Sequence, residues 1–591
     1  MLDKPTTRHA TDPSAPTRVM PRRPSRDATH PRSVLIILAI VTLVLVVGPL
    51  IVLVHVSLLP ADTLPLSAGH LTLANYRDAF LAPDTLLLLR NTIAYAGGTV
   101  TLALLLAAGI AWLTERTDLP GRGWIHTMMF SSMAIPPFVV AFGWILLLNP
   151  NNGALNLALM YLFSLQRPPL TIYSLWVMIL ISGLSLAPTI FVMLANLLRN
   201  MDPRLESAAS ASGATRLTVL RRITLPLLSP GVLSIAIYMF MVMVQAFDVP
   251  LAIGLTARVP MLSVRIYMLA SGSDELPRYG IAAALGVVLM GFAVVLMRAF
   301  FRLERRGERF RVVTGKAFHP RIHTLGRSRW GAVMAVGLYF AVMLLPLLML
   351  LWTSLQPYYR APSIAALGSL TLAHYYEVLA QPLFHQAVLN TAILALASAS
   401  CVMTLACLIS WYSVRTSWRL ARWLDMLAFL PIAVPHIVMA VAIMVLYLRT
   451  PLYGTLALLI LAHTGSYIAF GTRTMNAALL QIHRELEDAA AASGARWTTT
   501  IRRIILPLLW PHFLNGWLWV VAHSARDLTI PLMLLSTGNL VIASLLWLTW
   551  ERPDVPGAAA YAMVLVAALV AVVIAVRRLN TAEGGRHGRP I

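Results

Sequence analysis

Long apolar blocks separated by short polar loops run through this chain. Val34 to Leu59 contains one His and no other ionisable side chain, and Trp124 to Leu148 contains one His and no Lys, Arg, Asp or Glu. A run of about 18 or more apolar residues can cross a bilayer core as a helix. Lipid offers no partner to an exposed peptide group, so helices are the expected form. The pattern predicts an all-α polytopic membrane protein with twelve spans. They lie near 34–59, 90–113, 124–148, 172–198, 227–248, 280–302, 331–355, 388–413, 424–448, 453–480, 508–526 and 558–577. The block 154–165 is apolar but too short to span, and is expected to be interfacial or re-entrant.

Composition supports this reading. Of the 591 residues 58% are hydrophobic and 12% charged, about half the charge of a soluble domain. The first apolar block follows a polar, Pro-rich stretch, 1–33, with seven Lys or Arg. A cleaved signal has a shorter core nearer the start, so 1–33 is expected to be a disordered, basic cytoplasmic tail. The net charge of +22 does not imply nucleic-acid binding, because its placement is a topology signal. With both ends in the cytoplasm, 36 of the 46 Lys and Arg fall in inner loops, tails and adjoining helix ends, as the positive-inside rule requires. The densest inner loop, Arg298 to Arg329, carries ten of them. Cys401 and Cys407 share one apolar block and are expected to be packed free thiols.

The chain contains an internal duplication. Asn91-Thr92 recurs as Asn390-Thr391, Arg116-Thr117 as Arg415-Thr416, and Pro136 as Pro435, each 299 residues on. At an offset of 281, the segment from Leu205 to Ala214 recurs from Leu486 to Ala495, followed by Arg221-Arg222 against Arg502-Arg503 and Pro226 against Pro507. Two six-span units in tandem are expected, 34–302 and 331–577, joined by a basic linker, 303–330, and ending in a cytoplasmic tail, 578–591. Units of even span number share one orientation, which leaves a pathway between them.

The repeated segment falls on the cytoplasmic side between the fourth and fifth spans of each unit. Asp202-Pro203 is a good helix start. Leu205, Ala208, Ala209 and Ser212 fall on one helix face, and Gly213 is a helix stop. A short helix with a small-residue face admits a partner surface closely. These segments resemble the EAA loop of permeases of ATP-binding-cassette importers. Ala208-Ala209, Gly213 and Pro226 match that pattern, as do Ala489-Ala490, Gly494 and Pro507. Ser207 and Asp488 stand at the family's Glu, beside Glu206 and Glu487. The second copy has His483-Arg484 where the first has Asp-Pro.

The fusion of two units looks most like the ferric-iron permease subgroup, which is similar to thiamine and aminoalkylphosphonate permeases. The resemblance implies a coupling helix in each loop and two copies of a separate ATPase subunit, which would hold the ATP and Mg. It also implies a periplasmic binding protein, a bacterial inner-membrane location and no cofactor in this chain. Ferric iron is the first cargo it suggests, with thiamine, an aminoalkylphosphonate or a polyamine as alternatives.

No phosphate-cradling loop is present: the one Gly-Lys, Gly315-Lys316, lacks the upstream Gly and the following Ser or Thr. Neither nucleophile motifs nor metal-ligand spacings occur, so an enzyme acting alone is not expected. Ionisable residues within spans are costly and default to function. Asp248, Arg526 and Asp527 lie near the outer ends of the fifth spans, shortly before Pro250 and Pro531, which are 281 apart. They either line a substrate gate, with Gln245, or sit in water at the outer interface. His436, His463 and His523 are expected to be hydrogen-bonded packing residues. An ion-driven secondary transporter would carry carboxylates at mid-span and no duplicated docking loop.

Overall fold

The computed structural model describes residues 32–60, 69–199, 201, 206, 208–209, 211–272, 276–308 and 323–586. Residues 1–31 of the expected disordered tail and half of the linker, 309–322, lie outside them. Among the described residues the chain is helical, with one isolated bridge between Thr117 and His323. The main helices are α1 (Arg32–Ser57), α2 (Thr85–Arg116), α3a and α3b (Arg122–Ser132, Pro137–Leu148), α4 (Leu175–Arg199), α5 (Leu220–Val244) and α6 (Tyr279–Glu308). The second half repeats them as α7 (Arg329–Ser354), α8 (Pro382–Arg415), α9a and α9b (Arg419–Ala433, His436–Tyr447), α10 (Leu456–Gln481), α11 (Thr498–Arg526) and α12 (Val555–Arg586).

Twelve straight spans are not what forms. Among the described residues, nine helices are long and apolar enough to cross a bilayer, and up to eleven spans result if each bent pair counts as one. The expected third and ninth spans bend by 96° and 108°, at Pro136-Pro137 and before Pro435-His436. Proline cannot continue the hydrogen-bond ladder of the preceding turn and pushes the residue before it out of the helical region. The expected tenth span is present as α10, 26 residues long, but it is not among the nine. Polar side chains interrupt it and are satisfied locally: Thr464 donates to the Ile460 carbonyl at 2.7 Å, and Arg473 pairs with Asp425 at 2.8 Å. Ala154–Phe163 is a short apolar helix, too short to span, as expected. The last helix continues to Arg586, beyond the expected end near 577. Cys407 is partly buried, but Cys401 is exposed on α8 rather than packed.

The repeated residues of the sequence make repeated contacts. Asn91 donates to the Pro260 carbonyl at 3.2 Å, and Asn390 to the Leu540 carbonyl at 2.8 Å. The next residue, Thr92 or Thr391, accepts the backbone N–H of Leu262 or Ile542 at 3.1 and 2.9 Å. Each pair thus ties α2 or α8 to the N-terminus of a short helix, Leu262–Ser271 or Ile542–Trp550, whose first N–H groups have no partner within the helix.

The halves exchange elements. α3b packs on α7, and α9b packs on α1 and α6. A Cβ added at Gly143 of α3b would collide with the Pro346 backbone of α7. Phe142 stacks on Trp550 at 3.9 Å. Tyr359 donates to the carbonyls of Leu146 and Asn152 at 3.1 and 2.8 Å. Burial pushes that phenol up to about 12, which keeps it a donor.

Candidate functional site

The Ala-rich segments occupy matching places, between α4 and α5 and between α10 and α11. The second is a helix, Glu485–Ala492, with Glu485, Glu487 and Asp488 in its first turn, where the helix dipole favours acids. In the first, Glu206, Ala208 and Ala209 are helical, while the expected Asp202-Pro203 start, Leu205 and Ser207 lie outside the described residues. Both segments stop in the same way. Gly213 and Gly494 have φ of +83° and +78°, a region that suits glycine. The N–H of Ala214 closes on the Ala209 carbonyl at 3.1 Å, and that of Ala495 on the Ala490 carbonyl at 3.0 Å. This is the six-residue closure of a Schellman stop.

Five-residue π turns follow, Leu220–Thr224 and Ile501–Ile505, again 281 apart. They hold Arg221-Arg222 and Arg502-Arg503, all exposed, and deliver the chain to Pro226 and Pro507 in the first turn of the following helix. A wider turn there accommodates a proline that has no N–H to donate.

Glu206 and Glu487 are the acids beside the positions of the family's Glu. Both acids turn inward as anchors. Glu206 is buried, pairs with Arg116 at 3.3 Å and accepts from Thr224 at 2.8 Å. Glu487 pairs with Arg415 at 2.9 Å. Each arginine also donates to a carbonyl at or just beyond the end of the fourth helix of its half, Leu198 or Ile482, both at 3.0 Å. One guanidinium thus joins three elements in each half. Ala208 and Ala489 are left exposed, Ala490 is buried, and Leu486 and Asp488 face solvent in the second copy. Glu115 sits beside the first anchor, held by Arg199 and His126, each at 2.8 Å.

The second constellation lies at the seam between the halves. α5 and α11 both break before their prolines, and Asp248 and Asp527 lie at those two breaks, though not at matching repeat positions. Arg526 donates to the Met133 carbonyl, in the bend of α3, and contacts His523 Nε2 at 2.9 Å. His463 contacts Asp527 at 3.2 Å and Ser524 at 2.5 Å. The Tyr467 ring stands edge-on to His436 and His463, at 5.5 and 5.6 Å. Arg526 and Asp527 are therefore satisfied by protein groups within the bundle, and an outer interface bathed in water is not their setting. Gln245 caps the end of α5, partly buried, at the repeat position of Arg526. Among the described residues, no group of three or more His, Cys, Asp or Glu is placed to hold a metal ion.

The family described as binding-protein-dependent transport system inner membrane component matches residues 99–309 and again 402–582. The chain belongs to this family. "Probable ABC transporter permease protein y4fN" of Sinorhizobium fredii is 25% identical over 443 residues, 71% of this permease and 74% of the relative. "Ferric transport system permease protein FbpB" of Actinobacillus pleuropneumoniae is 23% identical over 475 residues, 79% and 67% of the two chains. A Salmonella typhimurium protein named for 2-aminoethylphosphonate transport is 26% identical over 266 residues, 43% of the permease and 95% of the relative.

Sequence reasoning singled out both Ala-rich segments of the permease and the residues Asp248, Arg526 and Asp527. It missed Arg116 and Arg415 as anchors. Their signal was present, because both belong to the 299-residue repeat while their glutamates belong to the 281-residue one. His463 was read correctly as a hydrogen-bonded residue. Its partner Asp527 was not foreseen, since 64 residues separate them.

Proposed function

We propose that this permease is the transmembrane part of an ATP-driven importer, working by alternating access. The observation that carries the proposal is the duplicated Ala-rich segment, closed by a left-handed glycine and bolted to the helix bundle by an Arg–Glu pair. Such a segment is rigid, presents small side chains outward and transmits a push to three helices at once. We assign to each the docking of one copy of a separate ATP-binding-cassette subunit, where Mg and ATP would be held. The two permease units run over 34–302 and 331–577, with both termini on the cytoplasmic side of a bacterial inner membrane. A periplasmic binding protein delivers the cargo to the opposite face, and the seam holding Gln245, Asp248, Arg526 and Asp527 is the gate.

Ferric iron is the first cargo to test, supported by the name of a relative that aligns over 79% of this chain. An aminoalkylphosphonate is the second, supported by the relative that aligns over one unit; thiamine or a polyamine would use the same machinery. The decisive experiment is uptake into proteoliposomes holding the permease and its ATPase, with the loaded binding protein outside. Uptake is expected only with Mg and ATP within. Uptake driven by an ion gradient alone would show a secondary transporter instead.

A further inference from the structure

The seam contains charged groups in unequal supply. Arg526, its one arginine, is already engaged by the Met133 carbonyl and His523. Asp527 is engaged by His463 and by the Thr529 N–H, at 3.2 Å in each case. Asp248, contributed by the other half, makes no hydrogen bond or ion pair among the described residues. It lies within electrostatic reach of Arg526, Asp527 and Tyr467. The Tyr467 hydroxyl and the His436 ring likewise have no hydrogen-bond partner among the described residues. What the seam has to spare is therefore a carboxylate, a phenol oxygen and an imidazole, all electron-pair donors, and no spare cation.

An unpaired acid within a membrane bundle is costly unless a partner arrives. We infer that the partner is a positively charged group of the cargo, and that Asp248 is the residue that selects for that charge as the gate opens. This inference rests on reading the seam as the gate of an importer. An anionic cargo would meet a carboxylate that no hydrogen bond or ion pair holds, with the arginine already engaged, a like-charge arrangement that is unfavourable at low dielectric. A metal ion and an organic ammonium share the required chemistry.

The test uses the full chain with its ATPase in membrane vesicles, with Cys401 and Cys407 replaced by Ala and a reporter thiol introduced by Gln245→Cys. The probes are a trimethylammonium-ethyl and a sulfonato-ethyl methanethiosulfonate, alike in size and opposite in charge. With Asp248 present, the cationic reagent should react about tenfold faster, after correction for the reagents' intrinsic rates on a free thiol. Asp248→Asn should bring the ratio near one, and Asp248→Glu should restore it. Equal rates with Asp248 in place, a ratio unchanged by Asp248→Asn, or no labelling in any nucleotide state would overturn the inference.

Nucleotide dependence of the labelling tests the importer reading separately. Charge selection that ignores Mg-ATP would sink the importer and leave the charge inference standing. Labelling that follows Mg-ATP without charge preference would do the reverse. Uptake of radiolabelled ferric ion against radiolabelled spermidine tells the two kinds of cation apart.

Discussion

Substitution of Glu206 by Gln should loosen the first Ala-rich segment far more than Glu487→Gln loosens the second. The Arg116 side chain is fully buried and that of Glu206 is 4% exposed. Removing one partner of a buried pair costs about 3–5 kcal/mol, because the other charge is left uncompensated. Arg116 keeps its bond to the Leu198 carbonyl, which argues for the lower end, about 3 kcal/mol. At 1.4 kcal/mol per tenfold, that is roughly a 150-fold rise in local opening. In the second copy Arg415 is 5% and Glu487 27% exposed, so solvent reaches and screens that carboxylate, and its loss should cost about 1 kcal/mol, or roughly fivefold. The measurement is amide hydrogen exchange on the protein in lipid nanodiscs. It follows Ser212 and Ala214 in one copy and Ser493 and Ala495 in the other, since each of these N–H groups closes its segment. Local opening sets their protection. Equal acceleration in both variants, or less than threefold in Glu206→Gln, would refute the assignment of the buried pair as the stronger anchor.

Three further outcomes are expected. Gly494→Val should release the ATPase subunit in co-purification and abolish uptake, whereas Gly494→Asn should retain both. No atom crowds the position, so the cost is backbone strain of about 1–2 kcal/mol, which Asn tolerates best. Gly143→Val should lower the thermal midpoint in detergent by several degrees, because the Pro346 backbone cannot yield as a side chain would; Gly291→Val, where space is open, should not. N-ethylmaleimide should modify Cys401 at least about tenfold faster than Cys407 in detergent, following their exposure.

The elements that could be read from the sequence were those written in local or repeated signals. Apolar blocks gave the helices, and Gly213 marked where a short one would stop, with Gly494 as its repeat. The bends themselves were not read, because a run such as 124–148 has the composition of a straight span and only the backbone shows the turn. α10 was counted with the other spans although its polar side chains find partners that no periodicity announces. The inward turn of Glu206 and Glu487 went unread for a related reason. A carboxylate beside an Ala-Ala pair reads as part of an outward face, and only the arginine at the foot of a distant helix shows that it points inward.

The exchange of helices between the halves bears on how the protein is made. α1 is completed in its packing by α9b, which begins about 380 residues after α1 ends. At a synthesis rate of about 5–20 residues per second, roughly 20–80 s pass before that partner leaves the ribosome. During that interval α1 has lipid or a chaperone where its final neighbour will lie. Neither half is then an autonomous folding unit, and a chain cut within the linker would need both pieces inserted together before either matured.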